Sequence, residues 1–234
     1  MAKPVKPDRN EPLSGFFAST AMNFIPSLPT LLAFTAACLL LAATPGPDMT
    51  LSISRALRDG KAAGLAVLLG TNLGIAVHTM LVAFGVSALI VASPTAFLIL
   101  KSGGAAYLAW LAFQAVRKGS KFVAKAETGA KGSVKSAFFN GIWVNLLNPK
   151  VIIFFMTFLP QFVTAHDPDV TGKLLFLGGW FMLVSLPVTI AIVLAAHKLA
   201  NWLQENPKVL RGMDYTFAGV FSVFAAKILM TQAR

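Results

Sequence analysis

One cysteine, Cys38, occurs in 234 residues. No disulfide can form within the chain, so a cysteine-stapled fold and an intrachain dithiol relay are excluded. Charge is also scarce, at 12% of residues against about 25% in a soluble domain. Acidic residues are the scarcer sign, nine against 20 basic, leaving a formal net charge of +11. The sequence has no His-Glu-x-x-His, no Gly-x-Ser-x-Gly and no phosphate loop ending in Gly-Lys-Ser/Thr. Zinc-protease, hydrolase and ATPase chemistry therefore lack their parts, and the chain reads as a non-enzyme without a cofactor.

What is abundant is apolar: 56% hydrophobic residues and a mean hydropathy of +0.71. A soluble fold of this length could not hide that much apolar surface, and disorder needs the opposite composition. The expectation is an all-α integral membrane protein in a lipid bilayer. Long continuous apolar runs, rather than ten-residue alternating ones, argue against a barrel. The basic residues lie between the apolar runs, where they set orientation, so nucleic acid is not the expected partner.

Six apolar segments stand out: Leu28 to Ala56, Ala62 to Val91, Pro94 to Val116, Ser136 to Val163, Gly172 to His197 and Val209 to Met230. The first is interrupted at Pro45-Gly46-Pro47 and the fourth at Asn148-Pro149. Residues 1–27 read as a polar extension; a lipoprotein-like cleavage site at Thr35-Ala36-Ala37-Cys38 is the alternative, against which its apolar run continues onward. Lys and Arg concentrate in three loops: Arg55, Arg58 and Lys61; Arg117, Lys118, Lys121, Lys125, Lys131 and Lys135; and Lys198, Lys208 and Arg211. The positive-inside rule makes these loops cytoplasmic and puts both termini outside.

The longest basic loop, 118–135, separates residues 28–117 from 136–234, three segments each. An odd number per half gives the halves opposite orientation. Gly64, Gly70, Gly104 and Tyr107 recur at Gly172, Gly178, Gly212 and Tyr215, all offset by 108. The spacing predicts two inverted three-helix repeats with broken first and fourth helices. Paired interruptions of this kind mark the binding site of a secondary transporter.

The interruptions carry the candidate chemistry. Pro45 and Pro47 remove two backbone donors and leave the carbonyls of Leu41 and Ala43 without helical partners, while Gly46 eases the turn. Asp48 then begins a second half-helix, where it either steadies the helix N-terminus or binds a proton or ammonium. Asn148-Pro149 reads as an N-cap and first helical residue, with Pro149 freeing the carbonyl of Asn145. Lys150 adds a positive charge where helix N-termini already attract anions. Asp48, Asn145, Asn148 and Lys150 together suit a zwitterion; alternatively the asparagines only cap and Lys150 snorkels or pairs with Asp48.

Asn72, His78, Lys101 and Tyr107 are secondary candidates. His78 is either a packed histidine or a proton relay, and Tyr107 and Tyr215 are anchors or site residues. His166-Asp167-Pro168-Asp169 is a turn or a metal site, with the turn favoured. No clustered His, Cys and carboxylate set lies in the apolar segments, which weighs against the alternatives of a metal or cation exporter; a membrane scaffold would not need the broken helices.

Several motifs resemble the LysE superfamily, in particular its RhtB-like amino-acid exporters. They are Ala43-Thr44-Pro45-Gly46-Pro47-Asp48, Arg55-Ala56-Leu57-Arg58-Asp59-Gly60, Ala63-Gly64-Leu65, Lys101-Ser102-Gly103-Gly104-Ala105-Ala106-Tyr107-Leu108, Asn145-Leu146-Leu147-Asn148-Pro149-Lys150 and Phe158-Leu159-Pro160-Gln161-Phe162. The resemblance runs from about residue 28 to 230 and implies inner-membrane efflux of amino acids or derivatives, driven by a proton or other ion gradient, from a carrier that could form a homo-oligomer.

Overall fold

The computed structural model describes residues 24–118 and 132–232. Most of the N-terminal extension and the loop lysines Lys121, Lys125 and Lys131 lie outside the described residues. Within them the chain is helical: α1 Leu28–Ala43, α2 Pro47–Asp59, α3 Lys61–Ala92, α4 Pro94–Lys118, α5 Val134–Leu146, α6 Pro149–Ile153, α7 Val170–Leu194, α8 Ala196–Glu205 and α9 Pro207–Gln232. α6 continues through a π turn, Phe154–Phe158, and a 3₁₀ turn, Leu159–Phe162.

Among the described residues three helices, α3, α4 and α7, are long and apolar enough to cross a membrane, or up to five spans if each bent pair counts as one. The pairs are α1 with α2, bent by 49°, and α5 with the α6 stretch, bent by 50°. Both breaks fall at the interruptions marked by proline. At the first, Thr44 and Gly46 are extended and Pro47 starts α2. At the second, Asn148 is extended and Pro149 starts α6. α9, the last apolar segment of the sequence, falls short of the same test; Lys208, Arg211 and Asp214 occupy its first turns.

Large apolar side chains including Leu32, Leu69, Leu81, Phe84, Val91, Ile99 and Phe113 face outward, as lipid contact requires. Small residues bring helices together. A Cβ on Gly70 would lie 2.1 Å from the Phe138 carbonyl of α5, and one on Gly141 2.3 Å from the Val67 carbonyl of α3. α3 and α7 run antiparallel along each other: Gly64 faces Val193, Thr79 faces Gly178, and the Ser87 and Thr171 hydroxyls share a hydrogen bond of 2.7 Å. α9 lies beside α4, where the Arg211 guanidinium donates to the carbonyls of Ala115 and Val116.

One end of the interior is packed with rings. Phe158 stacks with Phe154 at 4.7 Å and meets Phe224 edge-on at 4.9 Å, while Phe34, Phe162, Phe181 and Phe221 complete the cluster. At the same end the Lys101 ammonium donates to the Val163 carbonyl at 3.0 Å. Gln161 donates to the Lys101 carbonyl at 3.2 Å. The His166–Asp169 stretch is a turn: Asp167 accepts from Thr164 N and pairs with Lys173, and Asp169 caps α7 through Gly172 N. Cys38 is fully buried among apolar side chains.

Candidate functional site

The two breaks meet inside the bundle. Asp48 lies in the first turn of α2, but its carboxylate does not cap that helix. It crosses to the other break, accepting from Asn145 Nδ2 at 2.7 Å and Asn148 Nδ2 at 3.0 Å. Asn148 is at the same time the N-cap of α6, accepting from Lys150 N at 3.0 Å. The carboxylate thus sits between two half-helix N-termini, where negative charge is favoured.

Lys150 crosses the opposite way. Its ammonium donates to the carbonyls of Thr44 at 2.7 Å and Leu41 at 3.1 Å, at the C-terminus of α1. A cation there complements the negative end of the helix. Leu41 is one of the carbonyls the prolines were expected to free. The second is Thr44 rather than Ala43, because the helix ends at Ala43 and the extended backbone at Thr44 turns its carbonyl toward the lysine. Lys150 thus satisfies carbonyls of the first break, while Asp48 holds the two asparagine side chains of the second. Hydrogen bonds to charged groups contribute about 1.5–3 kcal/mol each.

The Asn145 carbonyl freed by Pro149 accepts from Asn148 N at 3.0 Å and faces His78 Nε2 at 3.4 Å. Asn145 is fully buried, and its Oδ1 has no hydrogen-bond partner among the described residues. While Asn145 Nδ2 faces Asp48, Oδ1 packs against Gly74, which leaves the room it occupies: a Cβ at that position would meet it at 2.5 Å.

A cavity of about 90 Å³ opens on this arrangement. One water needs only about 10–15 Å³ of such space, so several waters or one small solute fit. Asp48, Asn148, Lys150, Gly46 and Asn72 line it, together with the hydroxyl side chains of Thr44, Ser52, Thr71, Ser185 and Thr189 and with apolar walls from Ile75, Phe181 and Val193. Asn72 donates one of its two amide hydrogens to the Leu68 carbonyl at 2.8 Å. The cavity reaches from Phe181, at the edge of the aromatic cluster, toward Ser52 and Val193 at the end carrying Arg55, Arg58 and Lys61.

The site residues read from sequence therefore divide. Asp48, Asn145, Asn148 and Lys150 come together, Pro45, Gly46, Pro47 and Pro149 shape the breaks that present them, and Asn72 joins the cavity wall. His78 stands behind Asn145 rather than in the cavity. Tyr107 lies elsewhere, on a second cavity of about 450 Å³ on the far side of Lys150. Asp214 lines that second cavity and was not singled out from sequence. Its signal was a lone carboxylate in the last apolar segment, followed by Tyr215-Thr216-Phe217-Ala218-Gly219.

These features define a multi-pass α-helical membrane protein with a polar, doubly charged site between two broken helices. The chain belongs to the LysE family: residues 39–232 match the model described as LysE type translocator. It is 31% identical over 197 residues to the homoserine/homoserine lactone efflux protein of Salmonella typhimurium, covering 83% of this chain and 92% of the relative. A membrane protein of Vibrio cholerae is 30% identical over 81% of this chain and 91% of its own. No solved structure matches the chain.

Proposed function

We propose that this protein is a secondary exporter that carries small amino acids or their derivatives from the cytoplasm across the bacterial inner membrane, coupled to protons. The observation that carries the proposal is the Asp48 carboxylate held by Asn145 and Asn148 at the meeting of two broken helices, on the wall of a cavity. An ionisable pair at membrane depth is costly unless it functions.

In this proposal α9 is the sixth span, and residues 28–117 and 136–234 are inverted repeats joined by loop 118–135. Four observations support it. The two breaks bend by 49° and 50°. α3 and α7, equivalent by the 108-residue offset, run antiparallel. The second equivalent pair, α4 and α9, also pack together, α9's start beside α4's end. Asp48 and Lys150 brace opposite breaks. The basic loops face the cytoplasm and both termini the periplasm.

The cavity end near Ser52 is then the cytoplasmic mouth, and the phenylalanine cluster is the closed outer gate. A substrate ammonium meets the Asp48 carboxylate on the cavity wall. Its carboxylate meets Lys150, and the hydroxyl-lined wall accommodates a short polar side chain. The relative's name, a homoserine and homoserine lactone efflux protein, makes solutes of that size the first candidates. Rocking of the two halves opens the outer side, and proton uptake by Asp48, relayed by His78, resets the carrier. One proton crossing 100 mV supplies about 2.3 kcal/mol. A hundredfold gradient of a neutral solute costs about 2.7 kcal/mol, so one proton nearly suffices.

The test is counterflow: proteoliposomes loaded with unlabelled amino acids and assayed for uptake of labelled homoserine. Accelerated uptake from a loaded interior supports the proposal. Uptake no faster than in protein-free liposomes for every amino acid loaded contradicts it.

A further inference from the structure

The second cavity has chemistry of its own. About 450 Å³ in volume, it lies between the two breaks and the helices α4 and α9. Lys150 and Thr44 line both cavities, so the Thr44–Lys150 contact is the partition between them. On the far side of that partition stands Asp214, which lines the cavity and is only 2% exposed. Tyr107 and Trp110 add two aromatic rings, 5.0 Å apart between centroids, and Gln114 adds an amide.

An ammonium on one wall and a carboxylate on another is the complement of a zwitterion. Aromatic faces within about 6 Å of a bound cation attract it further. A carboxylate buried in an otherwise apolar stretch of α9 is costly, and this one borders an open cavity that also carries two aromatic rings and an amide. We propose that the cavity lined by Asp214, Lys150, Tyr107 and Trp110 is a second binding site for the amino-acid substrate, with Asp214 as acceptor of its ammonium. This inference rests on the proposed function above and adds a site to it. Because Lys150 is common to both cavities, occupancy of one weakens the other.

The test is equilibrium binding of labelled homoserine to the full-length protein in detergent, with melting temperature recorded for each variant. Asp48→Asn disables the first site and is expected to keep saturable binding within about tenfold of wild type. Adding Asp214→Asn is expected to weaken the remaining binding at least a hundredfold, and Asp214→Glu to recover part of it. Should removal of the buried carboxylate unfold the protein, Trp110→Leu in the Asp48→Asn background changes no charge and is expected to weaken binding at least tenfold. Loss of binding in Asp48→Asn alone, to the level of the double variant, overturns the second site and leaves the exporter proposal standing. So does binding in the Asp48→Asn background that neither Asp214→Asn nor Trp110→Leu alters. Absence of binding by wild type for any amino acid overturns both.

Discussion

Gly70 sits where α3 and α5 touch through their backbones. Replacing it with alanine would place a methyl group 2.1 Å from the Phe138 carbonyl and 2.9 Å from Ile142 N, well inside the 3.4 Å at which ordinary contact begins. Both neighbours are backbone, so no side chain can rotate away and the helices must part by about 1 Å. A gap of that size forfeits a quarter to a half of each dispersion contact along the seam. Overpacking of this kind costs about 1–3 kcal/mol. Gly85, on the same helix, has nothing within 4 Å of the position its Cβ would take. Gly85→Ala and Gly70→Ala share the intrinsic helical gain of about 0.8–1 kcal/mol, so their difference isolates the contact. At about 2–4 °C per kcal/mol for a chain of this size, Gly70→Ala should melt roughly 2–12 °C below Gly85→Ala in the same detergent. Equal melting, or a higher value for Gly70→Ala, would refute the close approach of α3 and α5.

Three further outcomes follow from the contacts at the breaks and at the two ends. Asn148→Ala removes both the cap on Lys150 N and a donor to Asp48; it should lower the melting temperature and the counterflow rate together, while Asn148→Ser recovers most of the melting. Lys101→Met releases the Val163 carbonyl at the aromatic end, and hydrogen exchange across residues 161–166 should accelerate; unchanged exchange would mean that the contact holds nothing. Asp59, whose side chain is only 1% exposed, binds Arg55, Arg58 and the Gly132 amide, so Asp59→Asn should raise hydrogen exchange at residues 132–134 and lower the melting temperature, because two arginines lose their carboxylate; unchanged exchange and melting would refute the contact.

Where proline dictated the backbone, the fold was legible. Pro45, Pro47 and Pro149 remove donors irrespective of context, and the helices break at those residues. The apolar runs likewise located the helices to within a few positions, because lipid demands continuous helical hydrogen bonding. The partners of the charged residues were not legible. Local sequence rules offer Asp48 the N-terminus of its own helix. Its carboxylate instead reaches Asn145 and Asn148, 97 and 100 residues away, because the two breaks pack against each other. The same holds for Lys150, whose acceptors Thr44 and Leu41 lie more than 100 residues back. The motif also drew attention away from Asp214, which no local pattern connects to Lys150. Tyr107 lines the second cavity rather than the first, and its spacing on α4 says nothing about which side of the partition it faces. The π turn at Phe154–Phe158 has no sequence marker comparable to the prolines.

The central claim is that Asp48, held by the asparagines of the opposite break, is where substrate and proton meet. The direct measurement is homoserine counterflow in proteoliposomes bearing wild type or Asp48→Asn, matched for reconstituted amount and melting temperature. Asn at position 48 can no longer accept two charge-assisted bonds, and losing one, at about 1.5–3 kcal/mol, predicts a fall in rate of roughly tenfold to a hundredfold, with the response to an imposed pH gradient abolished. A folded Asp48→Asn protein that transports at the wild-type rate and still follows the pH gradient would contradict the account.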